Sequence, residues 1–422
     1  MRGSAVWALA AATAAGQTGG TLDLTNFVVL GEGLAAGFAN FSLHQVHQAN
    51  SFPAVMARQM GVGNFPQPLF QAPGLGNVPG FPALPARVPA TLEDTVRVPG
   101  GPKPTGRPNA QPPFSLFVFN VSVPGATVAD AVARRPVRPL LQAGDAQQTL
   151  INMILAFPGM VAGPDKPLLT QVEYARQMNP SFGLVALGYA DFLEAVAQND
   201  TALLPDAAKF RTGFDAALAA VRGPGVPVAV ATVPDPLDTA YVDTPAAAAS
   251  ALAVTAADLR QVFGVRADDL VTIPGLMTMG SRLLAGAGGP LPAGSVVSAA
   301  TAAEIRRRVT AVNSQIADAA TKANAAVCDL YAVFNRARTG GVAANDAVLT
   351  AGFQGGLYSL SGFYPGATMQ TLMANECLAA INRTFRTGYA AADVNKAAAA
   401  DPVARLAMTG RGEAKEGQEA TR

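Results

Sequence analysis

Histidine is almost missing from this sequence: His44 and His47 are the only two in 422 residues. Chemistry that needs an imidazole must therefore run through one short stretch, FSLHQVHQANSF. Cysteine is as scarce, with Cys328 and Cys377 alone. Two cysteines do not make a four-ligand zinc site by themselves, so they read either as one bridge or as two buried free thiols. Charge is thin and balanced, 30 basic against 29 acidic residues for a formal net charge of +1. That removes the basic footprint expected of a nucleic-acid or anionic-surface binder. No stretch reaches the ~18 uninterrupted apolar residues of a spanning helix. The Ala-rich runs at 244–254 and 390–400 are too short and too polar.

Against these absences, half of the residues are hydrophobic, enough for one large core or two smaller ones. The start, MRGSAVWALAAATAAGQTGG, has a basic Arg2, a short Ala-rich stretch and small residues at 12–16. It reads either as a secretory signal, which implies a secreted, periplasmic or outer-surface protein, or as an Ala-rich disordered leader. Residues 21–390 read as the folded unit and 391–422 as a disordered polar tail. Two insertions interrupt that unit. Residues 66–113 are Pro- and Gly-rich without a period, as a covering flap or mobile segment would be. Residues 241–300 hold short helical pieces and the loop GAGGPLPAGS, which predicts a small cap.

Buried-strand patterns recur at 27–30 (FVVL), 114–123 (FSLFVFNVSV), 182–187 (FGLVAL), 226–233 (VPVAVATV) and 325–330 (AAVCDL). Helical patterns fall at 51–60, 128–134, 145–155, 168–178, 206–222, 301–323 and 366–382. This alternation predicts an α/β fold of three layers, α/β/α, around a mostly parallel sheet of about five strands. In such sheets the functional crevice lies beyond the carboxyl ends of the strands.

The first strand end, FVVLGEGLAAGF, is a strand–turn–helix corner of the kind that holds a nucleophile in many α/β hydrolases. Here the turn carries Glu32 and Gly33 and no nucleophile. Taken in order, the strand ends resemble the SGNH/GDSL hydrolase family of esterases and lipases over about residues 22–388. FVVLGEGLAAGF stands where the family has G-D-S-L. NVSVPGATVAD (120–130) is similar to the second block, whose glycine lends an N–H to the oxyanion hole. FGLVALGYADFLEAV (182–196) is similar to the third, G-x-N-D, and LYSLSGFYPGATMQTLMANECLAAIN (357–382) to the last, D-G-x-H-P followed by a helix.

The resemblance implies a flavodoxin-like sheet and ester hydrolysis without a cofactor, yet it fails at the reactive positions. Gly33 stands in the serine slot, Ala190 in the asparagine slot, Ser361 in the aspartate slot and Tyr364 in the histidine slot. What carries over is backbone: Gly125 and the N–H of Gly33, as ligand or oxyanion-hole donors. Acyl transfer needs a hydroxyl, a base and a group that orients the base. Losing the nucleophile or the base of a triad costs about a millionfold in turnover. A phenol with a reference pKa of about 10 is a poor base at neutral pH. The resemblance thus implies a catalytically inactive or severely impaired member that keeps a crevice for a small acyl or glycan ligand.

Other residues offer alternatives. His44 and His47, with Ser42 and Ser51 nearby, read as a nucleophile–base pair, as two metal ligands, or as polar residues on an exposed turn. Glu32 and Asp191 read as an acid/base or cation-holding pair, or as a turn hydrogen bond and the cap of the helix DFLEAVAQ. Tyr189, Phe363 and Tyr364 put aromatic surface where the family has its reactive groups, which suits a ligand pocket or a filled one. An active esterase with a relocated nucleophile would draw on Ser361, Ser42 or Ser122. An interaction protein would draw on the 66–113 and 241–300 insertions.

Overall fold

The computed structural model describes residues 21–70, 74, 76, 78–79, 118–140, 142, 144–160 and 168–408, with side chains not described at 156–160. The leader, most of the 66–113 stretch and residues 409–422 lie outside the described residues.

Strand β1 (Phe27–Gly31) and strand β2 (Phe182–Ala186) are buried at every residue, as is β3 (Val228–Ala231). Unbroken apolar runs of this kind belong to strands covered on both faces. With β7 (Ala326–Cys328) they form a parallel sheet in the order β1-β2-β3-β7. Register runs from Phe27 opposite Phe182 to Gly31 opposite Ala186, and Ala229 lies opposite Ala326. All four strands therefore end on the same side, at Glu32, Leu187, Thr232 and Asp329.

Among the described residues the sheet has four strands where about five were expected. The described part of the 114–123 candidate runs parallel to β1 and is held by a single bridge, Val29 to Asn120. Val29 N–H donates to Phe119 C=O at 2.8 Å, and Val121 N–H donates back to Val29 C=O at 3.0 Å. Val123 N–H still reaches Gly31 C=O at 3.2 Å, but Val121 C=O, the next acceptor on this edge, is taken by the Gln171 amide at 2.8 Å, so no second bridge forms among the described residues.

Helix Ala367–Phe385 packs on β7 and on helix Phe52–Gln59, while helices Val128–Ala133, Gln171–Gln177 and Ala207–Val221 pack on one another. Of the two readings of the cysteines, the structure has the bridge: Cys328, at the end of β7, is bonded to Cys377 on helix Ala367–Phe385.

Residues 240–298 build a second, smaller unit. Strands β4 (Val242–Asp243), β5 (Leu270–Thr272) and β6 (Val296–Val297) pair antiparallel. Helices Pro245–Ala251, Ala256–Phe263 and Ile273–Leu284 surround them. Leu259, Phe263, Val271 and Met279 make its own apolar cluster. A hairpin, β8 (Val342–Ala344) and β9 (Ala347–Leu349), follows the main sheet.

Of the tail expected to be disordered from 391, the described part to 408 is structured. Helix Val394–Ala400 docks along helix Ala367–Phe385, and a helical stretch over 402–408 follows it, with Ala404 and Ala407 against Gly356. Alanines do the packing, with Ala398 and Ala404 wholly buried. Asn375 clamps Ala392 through both its N–H and its C=O, and the carboxylate of buried Asp401 accepts from the N–H and hydroxyl of Thr368 at 2.8 and 3.0 Å. A segment docked by alanines and amide bonds shows no hydrophobic period, which is why its sequence reads as polar tail.

Candidate functional site

At the end of β1 the chain turns at Glu32, which caps the one-turn helix Gly33–Ala36. Its Oε1 accepts from Leu34 N–H at 2.9 Å. The residue is entirely buried, and Oε2 has no hydrogen-bond partner among the described residues. Burial pushes the Glu32 carboxyl up to about 8, against the pull of the Leu34 and Gly33 N–H groups and with a small push from Asp191. At neutral pH it is a neutral acid. The Gly33 N–H, an expected oxyanion-hole donor, lies against this carboxyl.

The space beside Gly33 belongs to Tyr364. A Cβ placed on Gly33 would lie 2.4 Å from the Tyr364 ring and 2.8 Å from its hydroxyl. No real Cβ tolerates that approach, so the glycine and the ring occupy one slot between them. Tyr364 packs edge-on against Phe38 with centroids 4.9 Å apart, and against Tyr189 at 6.0 Å. Tyr189 in turn donates its hydroxyl to Phe363 C=O at 2.8 Å. Phe363 stacks on Tyr241 of the small unit at 3.7 Å. Burial raises the phenols of Tyr189 and Tyr364 well above their ordinary value, and neighbouring charge, Glu32 included, raises them further. Neither is a base at neutral pH.

Ala190 begins the helix after β2 and is buried, with no side-chain donor to offer. Contrary to the reading of Asp191 as the cap of its own helix, its Oδ2 accepts from Val128 N–H at 3.0 Å, at the start of the helix Val128–Ala133 that Thr127 caps. That bond ties the third sequence block to the second across the crevice. Asp191 is partly buried, and its carboxyl is pushed up to about 7 by desolvation, with Asp130 adding in the same direction. Gly125 adopts φ +73°, and the face a Cβ would take lies 2.6 Å from Gln147 Oε1.

The structure therefore brings Glu32, Gly33, Tyr364, Tyr189 and Phe363 into one packed cluster, with Asp191 beside it. Ser361 is wholly buried two residues from Phe363, and its hydroxyl pairs with Ser359 at 3.2 Å, not with a base. Ser122 Oγ is buried against Gly31 and has no hydrogen-bond partner among the described residues. Ser51 pairs with Gln67 at 3.4 Å, and the Ser42 side chain faces Gly74. His44 and His47 sit edge to face at 6.2 Å on the turn after Asn40. Val46 N–H donates to His44 Nδ1, while His47 Nε2 faces the Asn40 amide. Burial lowers the His47 pKa, and His44 lowers it further. Among the described residues, no group of three His, Cys, Asp or Glu side chains is placed to hold a metal.

Two residues that hold the corner lie outside the strand-end segments or pass unnoticed within them. Gln171 donates from Nε2 to both Gly31 C=O at 2.6 Å and Val121 C=O at 2.8 Å, joining β1 to the 119–123 segment. Gln370 accepts from Phe52 N–H at 2.8 Å and donates to Leu34 C=O at 3.1 Å. Gln370 carries a readable signal: a polar residue on a helix face otherwise made of Met369, Met373, Ala374 and Cys377.

Chemically, the corner presents a neutral carboxylic acid, two phenols that stay protonated, and a backbone donor turned inward. Among the described residues it has no hydroxyl paired with a base, which is the minimum that nucleophilic acyl transfer requires. No family model, curated protein or solved structure matches this chain.

Proposed function

We propose that this chain is a non-catalytic protein on an SGNH/GDSL-hydrolase-like frame, its reactive corner converted into packed core. The single observation behind this reading is the shared slot: Tyr364 fills the volume in which a side chain at Gly33 would stand. The frame itself is supported by strand order. If the bridged 119–123 segment is counted as a strand, the sequence-ordered sheet becomes 2-1-3-4-5, the doubly wound order of flavodoxin-like folds. Five strands in three layers is then the architecture we assign. The disulfide between Cys328 and Cys377 supports placement in an oxidising compartment, outside the cytosol. An acyl or glycan ligand in the family's position would have to displace the Tyr364 ring, so we place no such ligand there.

The test is hydrolysis of a panel of short- and medium-chain p-nitrophenyl esters, with labelling by a serine-reactive phosphonate alongside. The expected result is turnover equal to buffer and no labelling. Turnover above buffer that disappears in Ser361→Ala or Ser122→Ala would instead identify a relocated nucleophile and end this reading.

A further inference from the structure

The open space on this side of the molecule lies in the small unit, one aromatic layer away from the filled corner. A cavity of about 220 Å³ sits between helix Pro245–Ala251, strand β5 and the glycine-rich loop 352–356. Its walls are apolar: Tyr241, Ala248, Val271, Ile273 and Leu276. Phe353 stands at the rim and remains 37% exposed, an aromatic ring kept in water beside an apolar hollow. An apolar cavity of about 150 Å³ already accommodates a benzene ring, so this one has room for a ring with a short substituent.

One end of the cavity carries charge. Asp243 lines it, and its Oδ1 is already engaged, accepting from Thr244 N–H at 2.9 Å and from Arg338 at 3.0 Å. No hydrogen bond is made to Oδ2 among the described residues. Gly352 opens the approach to that oxygen: a Cβ on Gly352 would lie 3.6 Å from Asp243 Oδ2 and 3.8 Å from Thr350 Oγ1. An acceptor with spare capacity therefore faces an apolar hollow of one-ring size. A pocket of this kind takes a ligand with an apolar body and a single donating head. Asp243 is ion-paired with Arg338 through Oδ1, so the selection rests on the second oxygen: Oδ2 only accepts, and an ammonium satisfies it where a carboxylate head would not.

We propose that this cavity binds a small aryl-alkylamine, its ring against Tyr241 and Ile273 and its ammonium on Asp243 Oδ2. Because Tyr241 also stacks on Phe363, the occupant would rest on the far side of the aromatic layer that closes the corner. This site is independent of the family reading.

Phenethylamine is the probe and 3-phenylpropanoate, with the same ring and opposite charge, its control. Titration calorimetry and thermal shift on the full chain should show saturable phenethylamine binding that raises the melting temperature, as a ligand of the folded state must. The carboxylate should bind at least about tenfold more weakly, and Asp243→Asn should weaken phenethylamine by about tenfold, the usual value of a charge-assisted hydrogen bond. Ala251 lines the cavity from an exposed position, so Ala251→Phe should abolish binding while leaving the unliganded melting temperature in place. That variant decides the matter even if Asp243→Asn folds poorly. Absence of saturable binding, equal binding of the carboxylate, or undiminished binding in Ala251→Phe would each overturn the proposal.

Discussion

The corner at Gly33 and the small unit at 240–298 lie on either side of one aromatic contact, Tyr241 on Phe363, yet they treat space in opposite ways. At the corner, Glu32, Phe38, Phe363 and Tyr364 are at most 1% exposed, and a buried acid is left with an unpaired oxygen. In the small unit, Met277 and Leu284 are 66% and 93% exposed, and an open cavity separates its walls. The strand-end corner is filled by side chains, while the peripheral unit holds the cavity. A strand-end position in an α/β sheet does not by itself make a site; where a side chain finds room decides that.

The sharpest break in this comparison is Tyr364→Ala. Removing a wholly buried aromatic ring from the corner should cost about 3–5 kcal/mol of stability by denaturant unfolding. If the loss is under 1 kcal/mol, the ring does not fill the slot.

Next in size is the pH dependence of Glu32. Its folded-state pKa, about 8, lies above the ordinary carboxyl value. Between about 4.5 and 8 the folded protein therefore keeps a proton that the unfolded chain has lost, and stability falls as pH rises through that window. Glu32→Gln should remove up to roughly 3–4 kcal/mol of that decline. A residual slope should remain below pH 7, because Asp191 and Asp235 are also raised, to about 7 and about 6. Unfolding curves at pH 5 and pH 8.5 check this; equal slopes in the two proteins would mean that Glu32 is solvated.

Gly33→Ser should cost about 1–3 kcal/mol, as overpacking does. Combined with Tyr364→Ala, it should cost less than the two single losses added, because both changes act on one slot. Strict additivity would separate the two positions. The smallest effect belongs to the other side of the comparison: Met277→Ser, on the exposed helix of the small unit, should change stability by no more than about 0.5 kcal/mol.

The strands were the most legible part of this fold, because four buried parallel strands leave unbroken apolar runs that a sequence displays openly. The segment at 114–123 reads as a fifth, but the Gln171 amide takes the Val121 C=O and the chain turns at Pro124–Gly125, which limits its described part to one bridge. The corner was legible as an absence. That Gly33 carries no nucleophile is read from one position; that Tyr364 fills the space beside it is a relation between residues 331 apart, with no local pattern. Asp191 shows the same limit. An aspartate opening a helix reads as that helix's cap, but its partner is Val128, 63 residues earlier, chosen by tertiary packing. The docked segment to residue 408 was hidden for a different reason, since alanine burial and amide clamps carry no period.

The shared slot at Gly33 also restricts the order in which substitutions can occur. A hydroxyl installed at position 33 overpacks the slot while the ring at 364 stays in place, and shortening that ring first opens a hole in the core. Either path to a working nucleophile passes through a less stable protein, and a base and an oxyanion donor would still have to follow. The tyrosine thus acts as a ratchet in sequence space: as long as it stays, single-step drift does not lead this corner to hydrolysis.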